Sequence, residues 1–229
     1  MKFKIAFSIL FVYQLAFCQT ISDSITLNFH YKFGNEHLEL NKNYISSKKD
    51  TLQINLLKFY ISNIRIEYSD KSTYSQPKSY HLIDIEDLSS NRIPLTLNNK
   101  KTISKIKFNI GIDSLMSVSG ALDGDLDASK GMYWAWQSGY INMKIEGKSS
   151  SCKTRKNQFN FHIGGYLKPN YAIREIVLES KNSNSKIDIS VDLNAIFSEI
   201  NLSELNSIMI PGEKAMKIAD YSTHLFQIE

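Results

Sequence analysis

The feature that most constrains this chain is an alternation of apolar and polar residues with a period of two, repeated in short runs. From Ser24 to Phe33, the residues Ile25, Leu27, Phe29, Tyr31 and Phe33 fall on one side, and Thr26, Asn28, His30 and Lys32 on the other. A helix would scatter these residues around its circumference, whereas a strand sends successive side chains to opposite faces. The pattern returns at Ile103–Ile110, with Ile106, Phe108 and Ile110 inward, and at Tyr140–Glu146. Further strands are expected at Leu38–Tyr44, Tyr80–Ile85, Ile93–Leu95, Phe159–Ile163, Tyr171–Glu179 and Lys186–Leu193, all short, and in a long β-like run at Leu52–Tyr68. Helical segments are expected at Leu193–Ile200 and Gly212–His224, the second with an apolar stripe of Ala215, Met216, Ile218 and Ala219 behind Pro211. Roughly nine or ten strands without regular strand–helix alternation predict an all-β fold, an antiparallel β-sandwich with short C-terminal helical segments.

The 229 residues suit one large β domain, and an apolar share of 42 % is enough to fill its core. The start of the chain reads as an export signal. Lys2 and Lys4 precede a nearly unbroken apolar run from Ile5 to Phe17, and Ala16 and Cys18 offer small residues before a cut at Gln19. Residues 1–18 are therefore expected to be removed, leaving 19–229 as a single exported domain, periplasmic or at the cell surface. The bulky Phe17, standing where a lipoprotein signal wants a small residue, argues against Cys18 as a lipid anchor. The run is too short for a comfortable membrane span, and no later stretch suits one. A formal charge of +4, from which Lys2 and Lys4 would be lost, carries no clustered basic stripe and so no nucleic-acid footprint. Cys152 has no disulfide partner once Cys18 is set aside and is expected to be incidental in a polar linker, Lys148–Gln158.

Chemistry is best sought around Gly131–Gly147, which holds both tryptophans, Trp134 and Trp136. This stretch and Phe159–Gly165 are expected to form neighbouring strands that build one site. On strand parity the two indoles would face the same side. Five histidines are present, His30, His37, His81, His162 and His224, with no close H-x-x-x-H spacing. A metal site would have to be assembled from distant strands. His30 and His162 each interrupt a strand next to a phenylalanine and point away from the aromatic side. Imidazole suits copper, zinc, iron and nickel. Gly111–Lys130 is a long Asp-, Ser- and Gly-rich connection, and such connections often carry function. Within it, Asp123, Asp125 and Asp127 have the spacing of a calcium loop. Ala128 stands where that loop needs Gly, and Trp134 where it needs Glu. A solvated acidic turn is expected instead, one that could brace the aromatic segment. No G-x-S-x-G, H-E-x-x-H or phosphate-loop motif appears, and no catalytic residue is assigned.

Gly124–Asp127, Gly131–Tyr140 and Lys144–Gly147 together resemble the signature of the MbnP-like copper-binding family. Lys58–Ile64, Phe108–Asp113, Phe161–Gly165 and Ile218–Asp220 resemble its other conserved pieces, so the likeness covers nearly all of the mature chain. Ala128, where the family often has Pro, and Tyr221, where it often has Asn, depart from it. The resemblance implies an exported β-sandwich that binds copper, as Cu(I), for uptake or storage, and no enzymatic activity of its own. It implies two histidine ligands and a nitrogen of kynurenine made by oxidising a tryptophan. The partners it implies are a di-haem enzyme related to cytochrome c peroxidases and an outer-membrane receptor. Carried over, His162 is the first ligand candidate and His30 the second. Trp134 or Trp136 would be the modified residue, and His81 and His224 are in reserve. Opening the indole makes chemical sense, because its N–H is a donor only, whereas an aryl amine can ligate a soft ion.

Two other readings compete. A non-metal binding module would use Tyr133, Trp134, Trp136 and Tyr140 as an exposed aromatic platform for sugar or peptide, with His30 and His162 far apart. An enzyme using the acidic loop would show a cleft with paired carboxylates.

Overall fold

The computed structural model describes residues 23–97, 101–120, 122–137, 139–180 and 186–229. The expected export signal, with Cys18, lies outside the described residues. In chain order the strands begin with β1 (Asp23–Phe33), β2 (Glu36–His37), β3 (Asn43–Ile45), β4 (Thr51–Tyr68), β5 (Thr73–Ser75), β6 (Tyr80–Asp84), β7 (Arg92–Leu97) and β8 (Ile103–Ile110). A short helix α1 (Ser114–Val118) follows, then β9 (Ile141–Ser149), β10 (Gln158–Gly164), β11 (Arg174–Glu179) and β12 (Lys186–Asp192). The chain ends with α2 (Asn194–Phe197), β13 (Ser207–Ile208), α3 (Glu213–Ser222) and β14 (Phe226–Ile228).

These strands make two sheets packed face to face, as the all-β sandwich reading expects. The smaller runs β14-β12-β1-β2 with β7 also on β1, and the larger runs β11-β8-β4-β9-β10-β13 with β3, β5 and β6 on β4. Phe29 on β1 reaches across to Phe59 on β4 and Phe108 on β8, with ring centroids 6.4 and 6.3 Å apart in edge-on geometry. Phe226 on β14 completes the group, 5.2 Å from Phe108. Each such buried ring contributes about 1.5–3 kcal/mol through burial, and the inward residues named from periodicity all lie in this core.

The sheets are mixed rather than wholly antiparallel: β1 pairs with β12, and β10 with β13, in parallel. Parallel neighbours need long crossover connections, and no local pattern announces them. Among the described residues, fourteen strands replace the expected nine or ten, the surplus being mostly pieces of two or three residues. Leu38–Tyr44 is not one strand: β2 ends at His37 and β3 begins at Asn43, with the chain turning between them. Cys152 is no linker residue, since it is buried in the main core, where burial pushes its thiol up to about 11.

Strand β4 explains what is built on the outer face. Its middle, Phe59–Ser62, is buried at every position instead of alternating. Inward residues there meet the sandwich core, while Tyr60 belongs to a second apolar cluster with Leu82, Ile112, Leu126, Met132, Trp134, Tyr140 and Ile141. That cluster is supplied mainly by the long connection between β8 and β9. The two strands pair with successive halves of β4, so the connection leaves and re-enters the sheet at one place. Gly111 marks the exit: a Cβ there would lie 2.3 Å from Cγ of Asn142, and its φ of 108° suits glycine. The described residues between 111 and 140 thus form a roof over the outer face of the large sheet.

Candidate functional site

The roof is held by tyrosine hydroxyls whose partners are backbone atoms. Tyr60 donates to the carbonyl of Asp125 at 2.9 Å, and Tyr140 donates to the carbonyl of Leu126 at 2.8 Å while accepting from the N–H of Leu122 at 3.1 Å. Burial raises both phenols above their ordinary range. They therefore stay protonated, as donation requires. Asp125 accepts from the N–H of Leu82 at 3.1 Å and from Lys130 at 2.9 Å. Asp127 accepts from the N–H of Ser129 at 2.7 Å. The acidic loop is therefore a brace for the aromatic segment. Tyr80, pushed up to about 12 by burial and by Asp113, donates to that carboxylate at 2.6 Å and ties the roof to β6.

The tryptophans do not lie on a strand. β9 starts only at Ile141, and residues 135–137 turn, leaving a single bridge between Tyr133 and Tyr140. Strand parity therefore fails, and the indoles separate: Trp134 is 6 % exposed and Trp136 63 %. Their centroids are 6.1 Å apart, with the planes tilted by 51°. Trp134 lies against Gly164 on β10, where a Cβ would come within 2.7 Å of the indole and of the Tyr140 carbonyl oxygen. Only glycine permits that approach.

His162 lies two residues before Gly164, paired with Lys144 on β9. Phe161 and Ile163 enter the core, so His162 faces outward, under the roof. An open pocket of about 440 Å³ forms there, lined by Tyr133, Trp134, Trp136, Lys144, His162 and Met209 together with Gly131, Ile141 and Ile210. The Nε2 of His162 lies 2.8 Å from Oε1 of Glu146. A carboxylate at this nitrogen holds the Nε2–H tautomer and leaves Nδ1 with its lone pair. Burial, with Lys144 adding to it, lowers the imidazole's pKa against the opposing pull of Glu146. This downward shift favours the neutral imidazole, the form that can ligate a metal.

The structure brings His162, Trp134 and Trp136 together and leaves the other candidates elsewhere. His30 points outward from the small sheet, its Nε2 2.8 Å from Asp188. It and His162 lie on opposite outer surfaces of a sandwich whose sheets alone stand about 10 Å apart. The pair His30–His162 cannot close on one ion. His81 lies on β6, three strand spacings from β10 and hence roughly 14 Å across the large sheet. Its Nε2 is 2.8 Å from Gln76 Oε1, and it lines a separate polar pocket of about 380 Å³ with Lys58, Asp84, Arg92, Asp125 and Lys130. His224 is exposed just beyond α3. Among the described residues, no three His, Cys, Asp or Glu side chains converge on one point. The aromatic-platform arrangement is also incomplete, since Trp134 and Tyr140 are buried.

Two residues close to His162 were missed from the sequence: Glu146, its hydrogen-bond partner, and Met209, on the pocket wall. Glu146 shares the parity of Lys144 and so faces His162, but that needs the β9–β10 register. Met209 follows β13, whose parallel pairing with β10 has no local sequence signal.

These features define a two-sheet β-sandwich with an open histidine–tryptophan pocket between one outer face and an inserted aromatic roof. The family model for MbnP matches residues 22–210, and the chain belongs to the MbnP family. MbnP from Methylosinus trichosporium shares the fold, with a TM-score of 0.64 at 13 % identity over 83 % of this chain and 82 % of that one. No curated protein matches the sequence. Among the described residues, no helix is long and apolar enough to cross a membrane.

Proposed function

We propose that this chain is an exported copper-binding protein, acting in copper uptake or storage outside the cytoplasm, and that it holds Cu(I) in the His162 pocket without catalysing a reaction itself. The observation that carries this reading is the meeting of a neutral, carboxylate-oriented imidazole with two indoles in one open pocket. Membership of the MbnP family supports the choice of metal. The donor set suits a soft, low-coordinate ion: one imidazole and a thioether are within the pocket, and hard oxygen donors are not among its lining side chains apart from the Tyr133 phenol.

The family resemblance adds kynurenine and a di-haem partner enzyme. Trp136 is the indole that an external protein could touch, while Trp134 is shielded, so such an oxidation would fall on Trp136. An outer-membrane receptor would take up the loaded protein.

The test is metal analysis with intact mass on the mature protein purified from its own host. Stoichiometric copper is the expected result. A mass gain matching one kynurenine, mapped to the peptide carrying Trp136, would establish the modification. Absence of copper, even after anaerobic reconstitution with Cu(I), would overturn the reading.

A further inference from the structure

Two loops from different parts of the chain meet at the end of the large sheet away from the roof. The turn between β3 and β4 carries Lys48 and Lys49, and the end of β9 with its connection to β10 carries Lys148, Lys153, Arg155 and Lys156. β9 pairs with the start of β4, Leu52 opposite Ser149 and Gln53 opposite Lys148. That register sets the two loops side by side. Ser149 donates its hydroxyl to the Thr51 carbonyl at 2.8 Å, and Ser151 donates to the Asp50 carboxylate.

The six cations gathered here are all exposed, and none of their side chains has a hydrogen-bond or ion-pair partner among the described residues. Elsewhere on the large sheet the cations are matched: Lys105 meets Glu179 at 2.8 Å and Lys107 meets Glu67 at 3.1 Å. Asp50 and Asp192 lie beside the basic loops, but both are engaged within the fold. Asp50 takes the Ser151 hydroxyl, and Asp192 accepts from the N–H groups of Gly34 and Asn194 at 2.8 and 3.0 Å. A surface with this surplus of one sign attracts anions.

Two further features select a lipid surface among anionic partners. Ile45, the last residue of β3 before the turn, is 72 % exposed. An apolar side chain among cations can enter the headgroup layer while the lysines and the arginine hold phosphates. An open pocket of about 260 Å³ between the loops is lined by Lys148 and Lys156 with Thr51, Ser150 and Asn157. It is rich in donors, as a phosphate requires.

We propose that this basic end docks the protein on a bilayer rich in anionic phospholipid, with Ile45 in the headgroup layer and a lipid phosphate between Lys148 and Lys156. β9 runs nine residues from Ile141 under the roof to Ser149 at the basic end, about 27 Å of extended chain. Docking therefore leaves the roof free. The proposal is independent of the copper reading.

The experiment measures cosedimentation of the mature protein with vesicles of equal parts phosphatidylethanolamine and phosphatidylglycerol, and with vesicles of phosphatidylcholine alone. Binding to the anionic vesicles and not to the neutral ones is expected. It should be lost when salt is raised from about 0.1 M to about 1 M, which shortens the screening length from about 10 to about 3 Å. Lys49→Asn combined with Lys156→Asn removes two charges at turn positions with φ of 68° and 61°, a region that asparagine tolerates, so the fold is kept. One cation at an anionic surface contributes about fivefold in partitioning, and the double variant should bind about 25-fold more weakly with unchanged urea unfolding. Ile45→Ser should weaken binding by a smaller factor. An equal loss in Lys214→Gln combined with Lys217→Gln, on α3, would show that net charge rather than this surface acts, and would overturn the proposal. So would equal binding to neutral vesicles, or no binding to either kind. Binding of a soluble polyanion such as heparin without binding of vesicles would overturn the membrane assignment in favour of an acidic macromolecule.

Discussion

His30 and His162 are built from the same local parts and end in opposite circumstances. Each lies on a strand beside an inward phenylalanine, points outward, and has its Nε2 2.8 Å from a carboxylate, Asp188 in one case and Glu146 in the other. The His30 side chain is 49 % exposed and that of His162 is 9 % exposed. The difference is the inserted segment over the large sheet, which the small sheet lacks around β1. A histidine–carboxylate pair on a bare sheet face is a surface ion pair, of the kind that contributes about 0–1 kcal/mol. The same pair under a roof of aromatics becomes desolvated, with its imidazole held in one orientation.

The largest test of that contrast removes the roof. Tyr140 is buried, packs edge-on against Tyr60 with centroids 5.7 Å apart, and links the roof's backbone at Leu122 and Leu126. Tyr140→Ala should lower stability by about 3–5 kcal/mol, as other large aromatic truncations do, and should abolish Cu(I) binding by whatever fraction remains folded. Urea unfolding measures the first effect and chelator competition the second. A loss below about 1 kcal/mol, with binding retained, would show that the sheet face alone suffices.

Next in size is the direct exchange of the two histidines' roles. His162→Ala should eliminate tight Cu(I) binding, and His30→Ala should leave it unchanged, both by chelator competition. Equal losses in the two variants would break the comparison, since they would require the two outer faces to meet.

How much of this was legible beforehand follows the range of each interaction. The inward faces of Ser24–Phe33 and Ile103–Ile110 could be read because alternation is a local property. The gathering of His162 with the tryptophans could be read from the short spacing between the aromatic stretch and Phe159–Gly165, and the family likeness pointed the same way. The exclusion of His30 was not readable, because two strands with the same alternation can lie in either sheet. The parity argument for Trp134 and Trp136 failed because residues 135–137 turn, so pleat logic does not reach them. Met209 was invisible because its neighbour is fixed by a parallel pairing between chain segments over forty residues apart.

The smallest effect, and the sharpest comparison, concerns the two carboxylates. Glu146→Gln keeps the shape of the side chain but removes the charge that orients His162 and offsets Lys144. Loss of such an outer-shell partner typically weakens a metal about 10–100-fold, and Cu(I) competition should show a loss in that range. Asp188→Asn should leave Cu(I) untouched and act only on acid stability. The carboxyl of Asp188 is held below its usual pKa by hydrogen bonding to Lys186 and then to His30. A depressed carboxylate contributes stability above its unfolded pKa of about 3.9, and loses that contribution as pH falls through the lower folded value. Because the pair is largely solvated, Asp188→Asn should reduce stability near neutrality by less than about 1 kcal/mol, a difference that vanishes in strong acid. Denaturant unfolding at several pH values measures it. Should Asp188→Asn weaken copper as much as Glu146→Gln does, the roof would not be what separates a ligand from a surface ion pair.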